Sequence, residues 1–260
     1  MLAWLTLAGL GACATVPENS SGAGSQSLVG VDPLVENPDP LEGFNRAMYQ
    51  FNDGLDDYVF KPVAQGYEWV LPQVMRRGVA NFFSNLLEPL VVLNDLLQGK
   101  FVQASSDSAR FLVNTTLGLG GLFDVATPMA LPKHKEDFGQ TLGVWGLGEG
   151  AYVVWPFLGP MNVRDSFGWG VDWLSSPISY VQPAEASWGL WLTDKVDQRA
   201  WALGAKDVLQ QAASDDPYIF VREAYRQKRQ NDIYDGDPPA TQLSPLDDDL
   251  LFQDDPPPAK

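Results

Sequence analysis

The one cysteine of this chain, Cys13, follows Leu10-Gly11-Ala12 and closes an apolar run that starts at Leu2. Leucine, two small residues and cysteine form the pattern a bacterial lipoprotein signal peptidase reads. Small side chains let the substrate lie close to the protease, and the sulfur accepts the lipid. The chemistry expected at Cys13 is therefore acylation. Each buried acyl CH₂ contributes about 0.8 kcal/mol, so several chains make a stable anchor. This reading assigns 1–12 to a signal peptide and 13–37, rich in Ser, Gly and Asn, to a flexible tether. Two features depart from it. The segment has no Lys or Arg before Arg46, and it is shorter than usual signal peptides, which points to a start further upstream. A chance cysteine stays open as the plainer alternative. Ala14, in place of Asp, leans towards the outer membrane.

Other residues equipped for chemistry are few. The single histidine, His134, lies in Pro132-Lys133-His134-Lys135-Glu136 and reads as a surface residue of a polar loop. A Ser-His-Asp triad would have to use it, and no Gly-x-Ser-x-Gly elbow accompanies it. No Cys/His zinc cluster is present, so no metal is expected. The glycine-rich segments lack the Lys-Ser/Thr and the strand–loop–helix setting of a phosphate loop, so no nucleotide cofactor is expected either. A net charge of −16 argues against nucleic acid, which needs a basic face. It also argues against a broad basic patch for anionic head groups.

The elements that would position any site are mostly helices. Asp39-Pro40 reads as a helix start, and Phe44, Met48, Phe51, Leu55 and Tyr58 recur at steps of 4, 3, 4 and 3 until Pro62 ends or kinks the run. Residues 73–98 carry Phe82, Phe83, Leu86, Leu87, Leu90, Leu96 and Leu97 on more than one face, with Pro89 within. Such a helix is either deeply buried or faces lipid. A third helix spans roughly 101–116. Residues 117–160 are rich in glycine, and Tyr152 to Phe157 reads as a short strand. Helices resume at Arg164-Asp165 through Trp169 and Trp173 to Pro177. Another follows Pro183, with Trp188, Leu192, Val196, Leu203 and Leu209, and the last starts at Asp215-Asp216-Pro217. The fold class is mainly α, with about six amphipathic helices and Gly-rich irregular segments. No clean apolar stretch of about 20 residues offers a bilayer span. Seven of the nine tryptophans fall between Trp145 and Trp201, which fits a bilayer interface or a Trp-rich core equally. Residues 236–260, acidic and proline-clustered, read as a disordered tail.

Several segments in one order resemble the MlaA/VacJ family of outer-membrane phospholipid-transport lipoproteins. They are DPLEGFNRAMYQFND (39–53), KPVA (61–64), NFFSNLLEP (81–89), LQGK (97–100), RFLVNTTLGLGGLFDVA (110–126), FGQTLGVWGLGEGAYVVWPFLGP (138–160), RD (164–165) and DPYIFVREAY (216–225). The resemblance covers a domain from 38 to 235 and leaves out the tether and the tail. It implies a ring-like assembly of amphipathic helices, monotopic in the periplasmic leaflet of the outer membrane and lipid-anchored. The ring would enclose a polar channel that removes phospholipids from the outer leaflet, passes them to a soluble periplasmic carrier and so maintains lipid asymmetry. An outer-membrane porin trimer is the further implied partner, and no bond-breaking chemistry is implied. Under this resemblance Phe82, Phe83, Leu86, Leu87, Leu90, Leu96 and Leu97 become a membrane-facing belt, with a buried core helix as the alternative. Irregular backbone at membrane depth must line a cavity or be covered by protein. The channel wall is therefore placed at Asn114, Thr116, Gly118, Gly120, Gly121, Asp124, Gln140, Gly143, Gly146, Gly148 and Arg164, with tight turns as the plainer reading of the glycines. Arg164 or Arg110 would attract a phosphate, unless paired with Asp165 or Asp107. Two other functions remain open: a porin-associated structural lipoprotein without a channel, and an envelope lipid hydrolase.

Overall fold

In a computed structural model, the chain divides into Met1–Glu36 and Asn37–Lys260. The structure describes residues 39–204 and 216–239, all in the second unit. Cys13, the 13–37 tether, Leu209 and residues 240–260 of the tail lie outside the described residues.

Helix α1 (Glu42–Leu55) runs into a π-helical turn at Asp56–Phe60 and then α2 (Lys61–Val70). Pro62 therefore does not end the run. It sits in the first turn of α2, straight after the π turn, where the Lys61 N–H reaches back to the Asp56 carbonyl and shifts the bonding register. Asp39 is not the helix cap either. Helix α1 starts two residues later, with Leu41 at the cap position and no side-chain cap. Asp39 is instead fully buried: its Oδ1 accepts from the Leu41 N–H (3.1 Å) and from Asn45 Nδ2 (2.8 Å), and its Oδ2 accepts from the Tyr218 hydroxyl.

Helix α3 (Gln73–Gln98) continues through Pro89 and stops at Gly99, whose φ of +79° places it in the left-handed region that favours glycine. Helix α4 (Phe101–Thr116) packs back along it. A glycine turn and a short 3₁₀ turn (Thr127–Met129) lead to α5 (Phe138–Val144), a helix not expected from the sequence. Its N-cap is Asp137, which accepts from the Gln140 N–H at 2.9 Å. An antiparallel hairpin follows, β1 (Tyr152–Trp155) with β2 (Gly159–Asn162), in a register that opposes Tyr152 to Asn162. Then come α6 (Val163–Ser175), a 3₁₀ turn at Pro177–Tyr180, α7 (Ala184–Trp201) and α8 (Pro217–Ile233). Asp216 caps α8 through the Tyr218 and Ile219 N–H groups, with Pro217 at the first turn, as the acid-then-proline signal requires.

Packing closes a circuit. Helix α1 meets β1, β1 meets β2, and β2 meets α6 and α8. Both of these helices contact α5, α5 contacts α3, α3 contacts α7, and α7 contacts α2, which leads back to α1 through the π turn. Among the described residues no helix is long and apolar enough to cross a membrane.

The distribution of polarity is inverted. Among the described residues 11 hydrophobic side chains are buried against 21 polar or charged ones, while 35 large hydrophobics are exposed. A water-soluble domain puts its apolar side chains inside, so this exterior is built for a non-aqueous neighbour. Helix α1 shows the inversion locally: Asn45 is fully buried, while Phe44 and Phe51 stay exposed.

Candidate functional site

Among the described residues, three cavities adjoin one another along α6. The largest of the three, about 650 Å³, runs between α3, the segment 133–137, α6 and α7, and is lined by Phe83, Leu87 and Val91 of α3 and by Trp173 and Trp191 of α6 and α7. A second, about 330 Å³, is lined by Phe60, Phe157, Leu158, Trp188 and Leu192 and shares Trp169, Trp173 and Trp191 with the first. A third, about 200 Å³, shares Asp137, Trp169 and Asp172 with the first and reaches Tyr225 and Arg229. Shared side chains link the three, with tryptophans between the first and second and Asp137 and Asp172 between the first and third.

The aromatic end follows from helical spacing. Trp169 and Trp173 are four residues apart on α6 and stack at 6.2 Å between centroids; Trp188 and Trp191 are three apart on α7 and meet edge-on at 5.9 Å. Trp173 stacks on Trp188 at 5.5 Å and joins the two helices.

The polar end rests on buried ion networks. Arg229 holds Asp137 with both terminal nitrogens, at 2.6 and 2.5 Å, and Asp165 through Nε at 2.7 Å. Against the pull of its own burial, those bonds hold the Asp137 carboxyl below the usual range. Arg110 donates to Asp124 at 2.7 Å, to Thr127 Oγ1 at 3.0 Å and to the Leu131 carbonyl at 2.8 Å. Burial opposes ionisation of Asp124, but the Thr127 and Arg110 bonds hold its pKa at about 2. Glu88 is 2% exposed, its Oε1 stands 3.6 Å from Arg110 Nε without a hydrogen bond, and burial, followed by the charge of Asp107, pushes it up to about 7. Burial and a shared hydrogen bond with Asp107 push Asp95 to about 8, and burial pushes Asp172 to about 6.

His134 is not a free surface residue. It is half-buried and its Nδ1 lies 2.9 Å from Asp107 Oδ2, with Asp107 fully buried. Among the described residues no hydroxyl is hydrogen-bonded to its ring, and no group of His, Cys, Asp or Glu could hold a metal ion.

The eleven residues expected to form the channel wall do not line these cavities. Asn114 closes the turn after α4: its Oδ1 accepts from the Val125 and Ala126 N–H groups and its Nδ2 donates to Asp124. Gly118 and Gly121 are close-approach positions, since a Cβ would come 2.2 Å from the Phe123 carbonyl oxygen in one and 2.4 Å from Asn85 Cβ in the other. Gly143 packs against Ile233. Thr116, Gly120, Gly146 and Gly148 are exposed, among exposed Leu117, Leu119, Trp145 and Leu147. Gln140 donates to the Lys135 carbonyl at 2.9 Å, and Arg164 is paired with Asp165 at 3.0 Å. The turns thus carry apolar side chains outward, and Asp124 and Arg164 are neutralised within the protein.

The seven residues expected to face the membrane divide. Leu96 and Leu97 are exposed, and Phe82 and Leu86 are half-buried. Phe83 is 4% exposed and is corrected to an interior position, edge-on to Phe82 at 5.5 Å. Leu87 and Leu90 lie on the cavity wall. Positions 80, 83, 87, 90 and 91 repeat at helical spacing and make that wall, while Leu93, Leu96 and Leu97 are exposed. The wall on α6 and α7 was visible in the sequence only as a density of tryptophan, and Lys133 and Lys135 only as flanks of His134.

Similarity to known proteins accords with this arrangement. The profile of the family described as MlaA lipoprotein matches residues 37–232. The chain belongs to the MlaA lipoprotein family. The protein named "Intermembrane phospholipid transport system lipoprotein MlaA" from Escherichia coli (strain K12) is 44% identical over 202 residues, 73% of this chain and 76% of the relative. Its namesake from Haemophilus influenzae is 35% identical over 234 residues, 85% of this chain and 89% of the relative. A chain from the solved structure described as "Structural basis for maintenance of bacterial outer membrane lipid asymmetry" superposes with a TM-score of 0.67 at 40% identity, covering 75% of this chain and 98% of that one. Family membership thus agrees with the mainly helical circuit.

Proposed function

We propose that the protein is an outer-membrane lipoprotein that takes phospholipids from the outer leaflet through its internal cavity and delivers them towards a soluble periplasmic carrier, so maintaining outer-membrane lipid asymmetry. One observation carries this reading: a tryptophan-walled cavity that also presents charged side chains lies within a molecule with many exposed apolar side chains. That combination suits a protein sunk in one leaflet with an amphipathic path through it. The names of the relatives support the same reading. The lipid anchor at Cys13, the periplasmic leaflet, the porin trimer and the carrier belong to the proposal. In this reading lipid is moved without bond-breaking.

The test fills the path. Ala80 lines the cavity on α3, and Ala80→Trp should block it. In a strain lacking the protein, wild type should clear phospholipid from the outer leaflet and Ala80→Trp should not. An Ala80→Trp protein that folds, reaches the outer membrane and clears lipid normally would leave a structural, porin-associated role as the better account.

A further inference from the structure

The charges around the large cavity are not balanced locally. Five of its acids are already engaged. Glu136 takes Lys100 at 3.1 Å, Asp137 takes Arg229, Asp172 takes the Phe138 N–H at 3.0 Å, Asp194 takes Lys195 at 3.3 Å, and Asp197 takes the Tyr67 hydroxyl at 2.9 Å. Glu88 holds its proton up to about pH 7. Lys133 and Lys135 differ from all of these. Both stand on the cavity wall, both are exposed, and among the described residues neither ammonium makes a hydrogen bond or an ion pair. Glu88 and Asp124 act on Lys133 through space only.

The backbone that presents them is pinned at alternate residues. His134 is fixed on Asp107, and Glu136 is fixed on Lys100 and on the Nε2 groups of Gln98 and Gln103, each at 2.8 Å. The segment ends in Asp137, the cap of α5. Two residues span at most about 7 Å of chain, so two flexible lysine stems can converge on one anion. Lysine serves phosphate as a point charge. Opposite them in the same cavity stand Trp173 and Trp191, which suit acyl chains.

We propose that Lys133 and Lys135 bind the phosphodiester of a glycerophospholipid at the polar end of the cavity while its acyl chains lie against the tryptophans. This rests on the transport reading above. Arg110 and Arg164 cannot take this role, because Asp124 and Asp165 already occupy them.

The experiment uses the full-length protein in a phosphate-free non-ionic detergent, with acyl-labelled phosphatidylglycerol and acyl-labelled diacylglycerol as probes. Wild type should prefer phosphatidylglycerol. Lys133→Ala with Lys135→Ala should weaken that binding by about tenfold or more for each lysine removed, leave diacylglycerol binding unchanged, and keep the thermal midpoint and near-ultraviolet signal of the tryptophans. Lys133→Arg with Lys135→Arg should restore the preference. If the alanine pair does not fold, Lys135→Gln carries the same comparison. Equal binding of phosphatidylglycerol by wild type and the alanine pair overturns the proposal while the transport reading stands. Binding of neither probe by wild type sinks the transport reading itself. Inorganic phosphate is the third arm: saturable phosphate binding lost in the alanine pair, with no phosphatidylglycerol binding, would make the site one for free phosphate and overturn the assignment to lipid.

Discussion

Asn45 makes three buried hydrogen bonds from one position of α1: its Nδ2 donates to Asp39 Oδ1 and to the Tyr152 carbonyl, and its Oδ1 accepts from the Val154 N–H. Asn52, two turns on, repeats the clamp on the Trp155 carbonyl and the Phe157 N–H, both at 2.9 Å. The free edge of a two-stranded hairpin is thereby satisfied by side chains of a helix. Asn45→Ala leaves the buried Tyr152 carbonyl and Val154 N–H without those partners and takes one bond from Asp39, which keeps the Leu41 N–H and the Tyr218 hydroxyl, so it should cost about 2–5 kcal/mol, as losses of about 1–3 kcal/mol per orphaned group imply; thermal unfolding in detergent measures it. Glu88 gives a pH test. Its ordinary value of 4.5 is raised to about 7 by burial. The folded state therefore holds the proton more tightly than the unfolded chain. The associated stability is full below the ordinary value and is lost as pH rises through about 7. Glu88→Gln removes that dependence while Arg110 keeps Asp124, Thr127 and Leu131. The variant should match wild type near pH 5 and exceed it by about 2–3 kcal/mol near pH 8. Parallel curves for the two proteins across that range would contradict the assignment.

At the scale of elements, α3 has to serve two media at once. Phe83, Asn85, Glu88, Asn94 and Asp95 are buried, while Leu93, Leu96 and Leu97 are exposed. A polar strip and an apolar strip on opposite sides of one helix are what a protein with a non-aqueous exterior and a polar interior requires. Substitutions on the two sides should therefore fail differently. Leu96→Arg should weaken partition of the protein into bilayers by no more than about 3 kcal/mol with little change in the unfolding midpoint. Phe83→Ala should cost about 3–5 kcal/mol of stability and leave partition intact for the fraction that folds. Vesicle flotation beside thermal unfolding separates the two, and equal effects of both substitutions on both readouts would show that α3 has no such division.

At the scale of the whole molecule, membrane attachment has two proposed sources, acyl chains at Cys13 and the apolar exterior of the helices. Cys13→Ser should abolish the acyl mass on the N-terminal peptide and weaken attachment without releasing all of the protein, because the exposed apolar side chains remain. Complete release into the soluble fraction would mean that the exterior contributes nothing, and an unchanged peptide mass would remove the anchor at Cys13.

The sequence by itself determined the elements that depend on near neighbours. The bounds of α3 and α4, the start of α8 at Asp216-Pro217 and the strand at Tyr152 all follow from periodicity, capping acids and glycine. It also determined the family, because long motifs survive in order. Only the tertiary structure decided which side of each helix faces in. Periodicity locates an apolar strip but gives no sign to it, and here the strip points outward on α1 while Asn45 and Asp39 go inside. The same ambiguity separates the expected channel wall from the cavities. Glycine-rich backbone looked like a wall, yet Gly118 and Gly121 are small because Phe123 and Asn85 crowd them, and their neighbours Leu117 and Leu119 project outward. The cavity is assembled from α3, α6, α7 and the segment 133–137, regions far apart in the chain that meet only when the circuit closes. Which ion pairs form is settled in the same step, so Arg110 and Arg164 are spent within the fold and Lys133 and Lys135 are left facing the cavity. Charge type is written in the sequence, but compensation of a charge depends on the distance between segments that only folding fixes.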